Sequence, residues 1–248
     1  MGFPMSSIDP WRNGLLQSLP AAELDALRPH LSFFEMAKEA ILIGAGAPQT
    51  HVYLPHSGVI SIMVSLTGGQ SVEVALIGRE SIFGAAAALG GQISLTDAVV
   101  LLPGTASILD VAQLRAVAER SVGLRTTLIR HEQALLAQAQ QSAACNATHA
   151  VEARLSRWLL RIRDIHDGET LPLTQEVLAR MIGVQRNAVS LVATLFWLYL
   201  LQPGRNMLVR GVRAFMSLRS STSGHTVTTR QASSELPRCE DDLGYLQI

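Results

Sequence analysis

The stretch LPLTQEVLARMIGVQRNAVSLVATLFWL, residues 171–198, reads as two short helices joined by a tight turn. The first follows Pro172, with Thr174 as N-cap and Glu176 in the first turn, where a hydroxyl satisfies an orphan N–H and a carboxylate suits the helix dipole. Its apolar stripe is Val177, Leu178, Met181 and Ile182. Gly183 can take the left-handed conformation that stops one helix and launches another, and Val184 plugs the turn. The second helix begins near Gln185 and repeats apolar residues at Ala188, Val189, Val192 and Leu195 or Phe196, leaving Gln185, Arg186, Asn187 and Ser190 outward.

Two amphipathic helices about a glycine can be an ordinary helical hairpin. They can equally be a helix-turn-helix, whose second helix sets its first residues against base edges in the major groove. Arginine pairs there with guanine, and asparagine or glutamine with adenine. The charge map favours the second reading. No Asp or Glu occurs in residues 177–234, whereas seven arginines do. The neutral whole chain divides into an acidic first part, with four cations against nine acids in residues 1–110, and a basic part, with fifteen arginines against seven acids in residues 111–234. The last fourteen residues are acidic again. A basic region is what counterion release from a phosphate backbone requires.

Residues 41–110 have a different texture. Short apolar or alternating runs (41–43, 52–54, 59–66, 71–77, 98–102, 106–109) are separated by Gly44-Ala45-Gly46, Ser57-Gly58, Gly68-Gly69, Gly78, Gly90-Gly91 and Pro103-Gly104. Regular short strands divided by glycine turns predict an antiparallel sandwich or barrel. In residues 71–77 a period of two sets Val72, Val74 and Leu76 against Ser71, Glu73 and Ala75. Beyond Asp110 the period becomes helical: a short helix over 114–119, a long one over 121–146, and an amphipathic one over 148–165 with Arg154, Arg157, Arg161 and Arg163 largely outward.

The long helix must bury its stripe of Leu124, Leu128 and Leu135, with Ile129, Leu136 and Ala143 one step round. Either a partner's copy or the chain's own β-domain can cover it. Residues 207–209 suit one strand of a small wing, and from residue 217 the chain is Ser/Thr-rich and aperiodic, which predicts disorder.

Together these pieces resemble the Crp/Fnr family of bacterial transcription regulators, over roughly residues 8–200. The segments that carry the resemblance are VYLPHSGVISIMVSL (52–66), VEVALIGRESIFG (72–84), QSAACNATHAVEARLSRWLL (141–160) and LTQEVLARMIGVQRNAVS (173–190). The resemblance implies an α+β chain. Its expected parts are an antiparallel, jelly-roll-like β-roll sensor domain (1–115), a dimerisation helix (116–147), a winged helix-turn-helix (148–215) and a low-complexity tail (216–248). It implies a homodimer on double-stranded DNA, at an inverted repeat, with RNA polymerase as a further partner. Arg186 falls on the family's main base-reading arginine and Asn187 on its neighbour, with Gln185, Ser190 and Thr174 completing the expected interface. Leu191 stands where another arginine often sits.

The effector pocket departs from the resemblance. Members that bind cyclic nucleotides have a glutamate after the Phe-Gly pair and an Arg-Ser or Arg-Thr pair about ten residues later. Here Phe83-Gly84 is followed by Ala85, and the later segment is Ser94-Leu95-Thr96-Asp97. A degenerate pocket at Phe83, Gly84, Ala85 and Thr96 is therefore expected, without cofactor. Cys145 and Cys239 have no cluster-binding spacing, and His51 and His56 are the only tempting metal ligands; none is assigned a metal. No catalytic constellation is visible, so the expectation is a non-enzyme. With neither a secretory signal nor a membrane span apparent, the expected location is the cytoplasm. The alternative function is a β-roll sensor or interaction module that has lost specific DNA binding, since Leu191 and the altered segment after Phe196 weaken the DNA reading.

Overall fold

The computed structural model describes residues 12–166, 170, 171, 173–186, 189, 227 and 228. Two short helices, α1 (Gly14–Ser18) and α2 (Ala21–Leu27), lead into seven strands: β1 (Ser32–Met36), β2 (Ile41–Ile43), β3 (His51–Pro55), β4 (Val59–Ser65), β5 (Ser71–Ile77), β6 (Asp97–Leu102) and β7 (Gly104–Asp110). They form two antiparallel sheets, of order β1-β7-β3 and β2-β6-β4-β5. A short helix, α3 (Ala85–Ala88), interrupts the strands. Residues Tyr53, Ile60, Ile62, Ala75, Ile77, Ala98, Val100 and Ala106 fill the space between the sheets. The strands expected between residues 41 and 110 are all present. Strand β1 has no counterpart among the strands expected from the sequence, because SFFEM has neither flanking glycines nor a clean alternation; pairing with β7 makes it a strand.

Helices α4 (Val111–Arg120), α5 (Val122–Thr148) and α6 (Val151–Ile165) follow, then β8 (Thr170–Leu171) and α7 (Gln175–Met181). Strand β9 (Val227–Thr228) pairs antiparallel with β8, so a segment expected to be aperiodic contributes a two-residue strand. The expected wing strand at 207–209 lies outside the described residues. Helix α5 starts at Ser121, whose hydroxyl accepts from Leu124 N–H and donates to Glu23 of α2.

The dimerisation stripe expected on α5 requires correction. Leu124 and Leu128 are fully buried within the chain, packed in one cluster with Leu15, Leu16, Ile82, Leu114 and Ala118. Leu135 is half-buried against the inter-sheet core. These three leucines therefore hold α5 to its own β-domain. The helix turns a different face to solvent: Val122, Ile129 and Leu136, at 71%, 43% and 58% exposure. Strands β3 and β7, with α1 and α4, recruit this leucine stripe because their own apolar face is otherwise open to water.

A second correction concerns β5. Pairing places Ile62 opposite Ala75 but Met63 opposite Glu73, so Val74 is an extra residue, a β-bulge. The bulge breaks the expected alternation. It sends Glu73, expected on the polar face, into a fully buried site against α6. There the indole N–H of Trp158 donates to its carboxyl at 2.5 Å, and the Ser61 hydroxyl donates at 2.9 Å. Around this contact Val59, Met63, Leu76, Leu101 and Leu102 of the β-roll share one apolar cluster with Leu155, Leu159, Ile162, Leu178, Met181 and Val189.

Burial pushes the Glu73 carboxyl up to about 8, against the lowering effect of Ser61, Trp158 and the nearby Arg157. The folded chain thus holds the proton where the unfolded chain releases it, and stability contributed by this site is greatest below the ordinary carboxylate range and is lost as pH rises towards about 8. Urea unfolding is expected to give a higher midpoint near pH 6 than near pH 9, and Glu73→Gln is expected to reduce that difference. An unchanged pH dependence in the variant would contradict the assignment.

Candidate nucleic-acid interface and effector pocket

Thr174 caps α7: its hydroxyl accepts from Val177 N–H at 3.2 Å. Being half-buried in this capping role, it is a positioning residue for the helix as much as a surface group. Glu176 lies in the first turn and pairs with Arg180 at 3.9 Å across one helical turn, both exposed. Ile182 ends the helix, and Gly183 follows with φ +65. A Cβ on Gly183 would meet Val72 Cγ2 at 2.9 Å, so this position needs glycine both for its backbone conformation and for its approach to β5. Val184 N–H bonds Ala179 O at 2.9 Å and closes the turn.

Gln185 and Arg186 are exposed just beyond that turn, while Val189 is fully buried in the shared core. The expected orientation of the segment therefore holds at these three positions, with two polar residues outward and the apolar one inward. Asn187, Ser190 and Leu191 lie outside the described residues.

Three arginines of α6, expected largely outward, find acceptors within the chain. Arg154 donates to Asn146 Oδ1 at 3.0 Å and to the Ile182 carbonyl. Arg157 donates to Ser142 Oγ at 3.2 Å, and Arg161 pairs with Glu80 at 3.1 Å. They tie α6 to α5, to the end of α7 and to the β-roll. Their charge is spent on fastening, so the basic character of this half overstates its phosphate-facing charge. The sequence signal missed here was a lone glutamate in the apolar run VEVALI (72–77) and arginines at three- and four-residue spacing on the margin of an apolar stripe.

The second site lies between α3 and α5. Gly84, φ +94, packs against the backbone of β3, where a Cβ would come within 3.0 Å of His51 O. Phe83 and Ala85 are buried, and Thr96 is half-buried on the far wall. Phe83, Gly84, Thr96, Ile62, Glu132 and Leu135 are among the residues around a cavity of about 570 Å³; the buried Ala85 packs in the neighbouring cluster with Leu15 and Ile82. The cavity lining contains no lysine, arginine or histidine among the described residues. His51 pairs with Asp110 at 3.2 Å, and His56 Nε2 lies 2.9 Å from Ser107 Oγ in the core. Among the described residues no group of three metal-ligating side chains converges. Cys145 is a buried free thiol.

Residues 33–121 match the cyclic nucleotide-binding domain, and residues 153–196 match the Crp-like helix-turn-helix domain. Together the matches take in more than half of the chain. The chain belongs to the Crp/Fnr family. It has the architecture of the DNA-binding transcription regulators in that family. Among curated proteins no sequence matches. The fold is shared with FixK2 from Bradyrhizobium japonicum, at 15% identity over 81% of this chain and 93% of that one, TM-score 0.61. It is likewise shared with the c-di-GMP responsive global regulator CLP from Xanthomonas campestris, at 14% identity over 86% and 100% of the two chains, TM-score 0.62. A Crp/Fnr-family regulator from Eubacterium rectale has 14% identity over 88% and 94%, TM-score 0.62. Among the described residues no helix is long and apolar enough to cross a membrane.

The strictness of the turn is testable. Gly183→Ala forces a Cβ into a left-handed residue already touching Val72, and is expected to cost about 1 kcal/mol or more of stability. Thermal unfolding is the measurement, and an unchanged midpoint would show that the turn relaxes freely.

Proposed function

We propose that the chain is a homodimeric, sequence-specific transcription regulator that reads DNA through Gln185, Arg186, Asn187 and Ser190, with Thr174 fixing the first helix. The observation that carries this reading is the exposure of Gln185 and Arg186 at the start of a helix within the matched Crp-like helix-turn-helix domain. The target is an inverted repeat whose half-sites lie about one helical turn, roughly 34 Å, apart. RNA polymerase is the expected protein partner. No enzymatic activity is assigned.

Dimerisation runs along the outer face of α5. Val122, Ile129, Leu136 and Ala143 recur every seven residues, the spacing at which two helices supercoil, and the first three are exposed apolar side chains. The effector pocket does not take a cyclic nucleotide, because a buried phosphodiester without a cation costs several kcal/mol even after relaxation.

Arg186→Ala is expected to weaken specific binding by about 1 to 3 kcal/mol while leaving non-specific binding nearly intact, as for a base reader. Selection of a genomic DNA library by the purified chain, followed by titration of the selected site and of random DNA, measures both. Equal losses on the two would remove the base-reading role.

Ile129→Glu with Leu136→Glu is expected to convert a dimer to a monomer in sedimentation. Both side chains lie at the surface, so the monomer should keep its fold by circular dichroism. A monomeric wild type, or a dimeric double variant, would overturn the assignment of this face.

A further inference from the structure

We propose that the cavity between α3 and α5 is a binding site for an uncharged, largely apolar small molecule. The inference deepens the reading of the effector pocket given above and rests on its loss of phosphate-binding charge.

The cavity, at about 570 Å³, is of ligand size. Its inner wall is apolar: Ile62, Phe83 and Ala87 are buried, and Leu135 closes it from α5. Its rim is apolar too, where solvent would favour polar residues. Ile93 is 56% exposed and Leu95 is 90% exposed on the loop that borders the opening. An apolar occupant would withdraw that surface from water.

The polar groups of the lining are largely used within the chain. Gln49 donates its amide N–H to the His51 carbonyl at 2.5 Å, and the Ser94 hydroxyl donates to the Thr96 carbonyl at 2.7 Å. The one charged lining residue is an acid, Glu132. The adjacent His131 is not part of the lining; its Nε2 accepts from Ile82 N–H at 3.3 Å and lies 2.5 Å from Ser81 Oγ, and its Nδ1 lies 3.7 Å from Glu132. The described lining carries one acid and no base, and its walls are apolar. An anion finds no cation in that lining to offset its lost hydration, whereas a neutral apolar molecule gives up little hydration on entry.

Glu132 and Leu135 stand on the same helix as the outer Ile129 and Leu136. An occupant of the cavity thus touches the element proposed to join two copies of the chain.

The test uses the full-length chain and a matched pair of fluorescent probes: uncharged N-phenyl-1-naphthylamine, and 8-anilinonaphthalene-1-sulfonate, which carries a similar aromatic body and a negative charge. The expected result is saturable binding of the neutral probe at one per chain, at least tenfold tighter than the sulfonate, with no displacement by micromolar cyclic AMP or cyclic GMP. Ala86 is exposed on the cavity wall, so Ala86→Trp should fill the space and abolish binding. Thr96→Arg should reverse the preference towards the sulfonate, and serves as the second variant if Ala86→Trp does not fold. Equal affinity for both probes, displacement by a cyclic nucleotide, or binding indifferent to both substitutions would overturn the inference. DNA binding measured on the same preparations separates the two readings. Probe binding without DNA binding removes the regulator assignment alone, and DNA binding without probe binding removes this inference alone.

Discussion

The contact on which the rest of the molecule depends is the burial of Glu73 between the β-roll and the helix-turn-helix. A carboxyl group taken fully out of water is tolerated only when its oxygens are met by donors, here the Trp158 indole and the Ser61 hydroxyl. That requirement fixes where α6 crosses β5. Once α6 is placed, the apolar cluster can close around Leu155, Leu159 and Ile162 from one side and Val59, Leu76 and Leu102 from the other. The polar pair supplies little net stability by comparison with this apolar burial, but it selects one docking geometry from the many that greasy surfaces permit. The arginines on the edge of α6 act in the same sense, since their acceptors lie on α5, at the end of α7 and on the β-roll.

Helix α5 has a divided role that follows from its length. A helix of 27 residues exposes more than one face, and this one spends its leucine stripe inward on α1, α4 and the turn before α3. The face left over carries a seven-residue apolar repeat, shorter in side chain and interrupted by glutamine and threonine. Such a seam, marginal for one helix in water, is suited to association between two folded chains. The inward stripe makes the helix part of the β-domain, and the same helix lines the cavity through Glu132 and Leu135. Leu135, at the cavity wall, is where the two meet.

The cavity beside α3 lacks the arginine that the cyclic-nucleotide pattern would place there. Gly84 brings the chain close to β3, and Phe83 is buried. Among the described lining residues the one charged group is Glu132, and none is a cation.

The short strands and glycine turns of residues 41–110 were legible from local pattern alone, because period-two alternation and glycine punctuation are dictated within a few residues of chain. The same holds for the Thr174 cap, the Gly183 turn and the outward Gln185 and Arg186, which depend on helical geometry and little else. The missing phosphate clamp was likewise a matter of residue identity. What the chain does with its amphipathic faces was decided only in three dimensions. Leu124 and Leu128 carry the same signal whether a partner or the chain's own β-domain covers them, and the nearer surface wins because it is always present at high effective concentration. The inward turn of Glu73 needed a bulge created by pairing with β4, and the fastening of Arg154, Arg157 and Arg161 needed acceptors distant in sequence or on other helices. Periodicity specifies that a face must be buried or solvated; the tertiary fold alone specifies against what.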